Sequence, residues 1–335
     1  MYRNIKISVI STLKNEEDCI KPFLENLLNQ SVQPDEIILV DGGSTDSTIP
    51  TISEYIQNNP KIKLLVKANA GISKGRNIAI KNATSDIIVT TDVCSFIDKN
   101  WLLELITPFK ENYEKWDVSS GYYIPEVKSW YEECLAAVIY HPIYEINSKK
   151  FNPSSRSLAF KKEVWENIGG YPELYYSGED LIFDLKAKYR GYKFYFAKKA
   201  LVSYQMEPTL YKFFRKYRLY GYGDGQANLW FFRHVIRYIT YIGGVLLLFL
   251  GFKFSYIWAV FIFMISLYLY RPYRRIHFLK YLKEKSILYR LRAYLSIPFI
   301  LFVGDLGKML GYTEGQWERI RGIDKSNRIN KYTGH

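Results

Sequence analysis

The sequence predicts an α/β protein in which a mostly parallel sheet carries helices on both faces, followed by membrane-associated helices. Three observations predict it. Short apolar runs alternate with amphipathic segments from residue 5 to about residue 205, the pattern of strand–helix–strand units. Acidic residues, Asp41 and Asp92, stand at the ends of two such runs, where parallel sheets bind their ligands. Beyond Pro208 the chain becomes basic and aromatic, then apolar.

Taken in order, residues 5–13 (IKISVISTL) read as a strand and 17–29 as a helix. Residues 36–40 (EIILV) read as a buried strand, and the Ser/Thr/Asp cluster after it caps a helix over 46–58. A third strand covers 62–66, a helix 73–82, and a fourth strand 86–91 (DIIVTT). From about 117 the alternation loosens. Strands are expected over 118–124, 155–160 and 193–204, with helices over 129–140, 161–168 and 180–190.

The 335 residues are 48% apolar and 24% charged, which excludes a disordered, collagen-like or disulfide-scaffold chain. Cys19, Cys94 and Cys134 lie far apart with no CxxC pair. Neither a disulfide framework nor a zinc module is expected, and the count fits a reducing compartment. No apolar run follows the amino terminus, so a cleaved signal peptide is not expected.

Net charge is informative once located. Residues 211–292 hold 15 Lys and Arg against two acids, which accounts for the whole net charge of +13. The same stretch holds the longest uncharged runs, 238–252 and 254–270, separated by Lys253. Basic flanks around apolar runs point to a membrane with Lys and Arg on the cytoplasmic side, rather than to nucleic acid. The expectation is a transmembrane hairpin over 238–270, preceded by a basic interface segment over 208–237. A basic interfacial or re-entrant segment follows over 271–335, because 294–304 is too short to span and contains Pro298. A pair of interfacial helices, or a core pair in a soluble oligomer, are the alternatives to the hairpin.

Chemistry concentrates in two places. In EIILVDGGSTDST, Asp41 at a strand tip can accept a hydrogen bond from a nucleobase imide, and the Gly-Gly pair lets the backbone turn close to a ligand. In SGED, Glu179 and Asp180 open a helix, where the macrodipole alone would favour acids.

The segments VISTLKNEED, VDGGSTDST, NAGISKGRNIAI, IIVTTDVCSFIDKNWL, SSRSLAFKKEVWENIGGYPE and SGEDLIFDLKAKYRGYKF occur in this order and spacing. Together they resemble family 2 glycosyltransferases of the GT-A fold over about 200 residues. The resemblance implies a catalytic domain over 1–207, with a nucleotide-sugar-binding half over 1–116 and an acceptor-binding half over 117–207. It implies inverting transfer of a hexosyl group from a UDP- or GDP-sugar. Carried over by position, Thr12 and Glu16 line the nucleoside pocket, Asp41 reads the base, and Lys74 and Arg76 contact the donor. Asp92 matches the first acid of the family's metal motif and would hold Mg²⁺ or Mn²⁺ at the diphosphate. The motif here reads Asp92-Val93-Cys94, so its last acid is replaced by a thiol, a poor ligand for a hard cation. Cys94 is expected to be a small packing residue. Asp180 matches the catalytic base, and Glu179 would position acceptor or donor.

The expected partners are a nucleotide-sugar donor, a lipid-linked or glycan acceptor and a membrane, with no nucleic acid. The catalytic domain is expected on the cytoplasmic side. The segment QANLW at 226–230 resembles the QxxRW motif of processive synthases, but Leu229 stands where that motif has arginine. Transfer to a polyprenyl phosphate, a processive synthase and a silent nucleotide-sugar-binding scaffold are the competing readings.

Overall fold

The computed structural model describes residues 5–175, 177–276 and 286–321. The chain forms two compact units, Met1–Ile124 with Ile143–Gln205 and Pro125–Pro142 with Met206–His335.

The first unit is built on an eight-stranded sheet. Its strands are β1 (Ile7–Leu13), β2 (Glu36–Asp41), β3 (Ile62–Val66), β4 (Ile87–Thr90), β5 (Ser95–Ile97), β6 (Val118–Glu126), β7 (Leu158–Lys161) and β8 (Phe194–Gln205), in spatial order β3-β2-β1-β4-β7-β6-β8-β5. β1 pairs in parallel with β2 and β4, and β2 with β3. The pairs β4–β7, β7–β6 and β5–β8 are antiparallel. The sheet is therefore parallel in its first half and mixed as a whole.

Every residue of β2 is buried, as expected of a strand covered on both faces. Its side chains alternate between two cores. Ile37 and Leu39 join Phe23, Leu24 and Leu27 of α1 (Glu17–Leu28) and Trp101, Leu105 and Phe109 of α4 (Trp101–Glu111). Ile38 and Val40 pack on the other face with Ala79 and Ile80 of α3 (Ile72–Asn82), Phe160 and Phe183. The remaining helices of this unit are α2 (Thr48–Asn58), α6 (Lys162–Ile168) and α7 (Glu179–Tyr189). β5 and α4 were not anticipated. Leu102, Leu105, Ile106 and Phe109 carry the helical spacing, and Pro108 inside the run obscured it.

The chain runs from β1 to β2 and β3 on one side and then places β4 on the other side of β1. The crevice beyond the carboxyl ends of β1 and β4 is thus a topological switch point. The segments leaving those strands carry Glu16 and Asp92.

The second unit is helical: α5 (Trp130–Ile139), α8 (Leu210–Gln226), α9 (Phe231–Lys253), α10 (Ile257–Ile276) and α11 (Ile287–Arg321). α9 and α11 are long and apolar enough to cross a membrane by length and composition. α9 and α10 correspond to the two expected hairpin runs. α11 differs from expectation: it is a single 35-residue helix running through Pro298. Its glycines lie against α8, and tertiary packing of this kind supplies most of a helix's stability. The rest of the segment expected to be interfacial, 277–285 and 322–335, lies outside the described residues.

Candidate active site

Arg76 occupies the centre of the site. It projects from the second turn of α3, only 6% exposed, and its Nη1 donates to Asp180 Oδ1 at 2.6 Å and to Glu179 Oε1 at 3.1 Å. Its Nη2 reaches Asp92 Oδ1 at 3.3 Å. The guanidinium also lies over the Tyr171 ring, 5.3 Å from its centroid. Burial disfavours the charge, but Asp180 and the other acids outweigh it, so Arg76 stays protonated.

Asp180 and Glu179 form the first turn of α7. Gly178 before them has φ +86°, a left-handed conformation that glycine adopts without the Cβ clash other residues meet. Asp180 Oδ2 accepts the Ser155 backbone N–H at 3.0 Å and the Ser154 hydroxyl at 3.3 Å. Burial pushes the Asp180 carboxyl up, but Arg76 and the Ser155 bonds hold it below the usual aspartate range. Glu179 moves the other way: burial and the Asp180 charge raise it despite Arg76. Two adjacent acids with oppositely shifted environments are the pattern of divided proton roles.

Asp92 follows β4 and keeps 41% of its side chain exposed. Its Oδ2 lies 3.3 Å from Arg156 Nε. Arg156 was not foreseen from sequence, and its guanidinium also sits 4.9 Å from the Tyr204 ring centroid. The signal was present: Arg156 is the one charged residue in NPSSRSLAF, directly before β7. Ser154 and Ser155 in the same run were likewise missed as partners of Asp180.

The other expected residues do not bond Arg76. Asp41 is fully buried at the end of β2. Its Oδ1 accepts the backbone N–H groups of Gly43 and Ser44, both at 2.7 Å, and its Oδ2 the Ser44 hydroxyl at 2.5 Å. Its carboxylate therefore shapes the GGST loop. Thr12 is half-buried near the end of β1, where the α3 backbone passes at Gly75. Lys74 is exposed on α3. Glu16 is half-buried before α1, its carboxyl raised by burial and then by the charges of Asp92 and Asp46.

Cys94 corrects the sequence expectation. It is exposed and bonded to Cys19, which lies on the first turn of α1. The 75-residue separation hid the pair; the adjacency of β1 and β4 brings it together. Asp92 supplies an accessible carboxylate, Glu16 a second acid crowded by its charge, and Cys94 no oxygen at all. A hard cation would find an oxygen ligand there in Asp92 and would relieve the crowding at Glu16.

A sheet of this order, with acids converging at the switch point, defines a GT-A fold. The chain belongs to glycosyl transferase family 2, whose sequence profile matches residues 8–199. It is 38% identical over 87 residues to the uncharacterized glycosyltransferase YibD of Escherichia coli, an alignment covering 26% of this chain and 25% of that one. It is 27% identical over 192 residues to the poly(ribitol-phosphate) β-N-acetylglucosaminyltransferase TarS of Staphylococcus aureus, covering 55% of this chain and 32% of TarS. The chain thus spans a quarter to a third of these relatives' length. Among solved structures, the mannosyltransferase PcManGT of Pyrobaculum calidifontis, in complex with GDP-Man and Mn²⁺, superposes with a TM-score of 0.58. It is 16% identical, with 94% of this chain and 88% of that one covered.

Proposed function

We propose that this transferase is an inverting enzyme that moves a hexosyl group from a UDP- or GDP-sugar to a membrane-proximal, lipid-linked saccharide in the synthesis of a cell-surface glycan. The observation that carries the reading is the sharing of Arg76 by Asp180, Glu179 and Asp92 at the switch-point crevice of a family 2 fold. The naming of TarS and of a Bacillus spizizenii poly(ribitol-phosphate) β-glucosyltransferase, 32% identical over 112 residues, supports the cell-surface assignment.

In this reading Thr12, Glu16 and the loop held by Asp41 border the nucleoside, and Lys74, Arg76 and Arg156 face the diphosphate. Mg²⁺ or Mn²⁺ on Asp92 would offset the charge of the departing nucleoside diphosphate. Asp180 takes the proton of the acceptor hydroxyl as its oxygen attacks the anomeric carbon. The bond from that carbon to the phosphate oxygen breaks, and its electron pair leaves with the nucleotide. Glu179, which holds its proton to higher pH, positions the acceptor. α9 and α11 would confine the enzyme to the plane of its acceptor, with the catalytic unit on the cytoplasmic side.

The test is nucleotide release from UDP- and GDP-sugars by detergent-solubilised protein, wild type beside Asp180→Asn. Loss of the base should lower turnover by about 10²–10⁴-fold while nucleotide binding persists. Equal turnover in both proteins would remove Asp180 from the chemistry, and no binding of UDP or GDP would sink the reading.

A further inference from the structure

Cys19, Cys94 and Glu16 meet at the switch-point crevice, and their two sulfurs and one carboxylate oxygen lie within 4.8 Å of one another. The two cysteines are bonded as a disulfide. Glu16 Oε2 nevertheless lies 2.9 Å from Cys94 Sγ. A disulfide sulfur carries no proton, so at that distance the carboxylate oxygen faces sulfur lone pairs. A thiol proton, or a cation held between the two atoms, would satisfy both.

We propose that Cys19 and Cys94, once reduced, form with Glu16 a three-ligand site for a soft dication of the Zn²⁺ class. Reduction takes two electrons from a dithiol reductant, which leaves as its own disulfide, and the S–S bond opens to two thiols. Metal binding then releases their two protons and leaves two thiolates and a carboxylate on the ion. Two thiolates and one oxygen suit Zn²⁺, whose tetrahedral shell then keeps one position for water or a phosphate oxygen. In a reducing compartment the dithiol is the expected form of the pair. The cysteine that replaces the last acid of the metal motif thereby becomes a ligand itself, for a softer ion than the motif's usual one. That the open position faces the donor rests on the proposed transferase reading; the metal site does not.

The experiment uses the full chain in detergent, reduced with a phosphine and freed of excess reductant, with Cd²⁺ as the probe. The expected result is a thiolate-to-cadmium charge-transfer band that saturates near one equivalent and is absent from the oxidised chain. Cys134, buried in the helical unit, should not contribute, so Cys134→Ser keeps the band. Cys19→Ser and Cys94→Ser should lose it. Glu16→Gln should weaken binding at least by the ~10-fold that loss of even an outer-shell partner costs. Zn²⁺ should protect two thiols of the reduced wild type from alkylation. No band in the reduced wild type, a band that survives both single cysteine variants, or equal binding by the oxidised chain would overturn the proposal. Comparing oxidised with reduced wild type needs no variant to fold. A chain that binds Cd²⁺ in this way but neither UDP nor GDP would refute the transferase reading and leave the metal site standing.

Discussion

Arg76 donates to Asp180 and Glu179, reaches Asp92, and is nearly buried, so its replacement leaves three carboxylates without their shared counter-charge. Arg76→Ala should destabilise the protein by about 3–5 kcal/mol, the usual cost of breaking a buried ion pair, measured by denaturant unfolding. Arg76→Lys keeps a charge but loses the planar fork. Asp180 has a depressed pKa, so its carboxylate form persists as pH falls until that lowered value is reached. The acid limb of wild-type turnover should lie below the ordinary aspartate range, and Arg76→Lys should shift it upward. An unmoved limb would detach Arg76 from the titration of Asp180. Glu36 offers the matching stability test. It is 4% exposed and accepts from Ser8, Lys63 and Thr84. Burial pushes its carboxyl up, but these bonds hold it at about 2. Its contribution is fully present above the unfolded value near ~4.3 and is lost as pH falls toward about 2. Glu36→Gln should cost about 2–3 kcal/mol at neutral pH, with the gap to wild type closing in acid.

At the scale of elements, α8 and α11 pack through glycine. A Cβ at Gly311 would strike the Arg218 carbonyl, and one at Gly315 the Tyr222 carbonyl. Beside this seam, Asp305 of α11 accepts from Arg237 at 2.7 Å, from Tyr241 at 3.0 Å and from Tyr268. Two helices, α9 and α10, thus satisfy one acid of α11 in an otherwise apolar stretch, where an unsatisfied one would be costly. Gly311→Leu should force the helices apart and lower the detergent melting temperature; an unchanged melting temperature would mean the seam carries little stability. The parallel half of the sheet was legible in sequence because its strands are rich in Ile, Leu and Val and its turns carry Gly, Asp and Ser. α4 was not, since Pro108 masks its spacing. α11 was not either, because what holds it is close backbone approach rather than apolar periodicity.

For the whole molecule, the basic excess of residues 211–292 takes in α9 and reaches the start of α11, the two described helices long and apolar enough to span a bilayer. α9 turns Ile236, Ile239, Ile242, Phe249 and Phe252 outward, and contiguous exposed apolar side chains mark membrane or partner contacts. The protein should stay with the membrane through high-salt and alkaline washes and leave it only in detergent; release by salt alone would mean charge, not apolar burial, holds it there. Asp92 was legible as a candidate because strand ends can be read locally; Glu179 and Asp180 were candidates through the family resemblance, since a helix start alone favours acids. Arg156, Ser155 and the Cys19–Cys94 pair were not, because each becomes a neighbour of the site only through strand order.

The chain passes between its two units three times, since α5 leaves the sheet-bearing unit and belongs with the C-terminal helices. Cys134 to Ala137 are fully buried, Cys134 Sγ bonds the Ala293 carbonyl and Arg275 the Val138 carbonyl. On the ribosome, α5 emerges some 150 residues before Ala293. Its apolar face must therefore wait, uncovered, through synthesis of everything between. Folding of this chain cannot finish in N-to-C order, and a fragment ending at residue 205 would carry a helix whose partners never arrive.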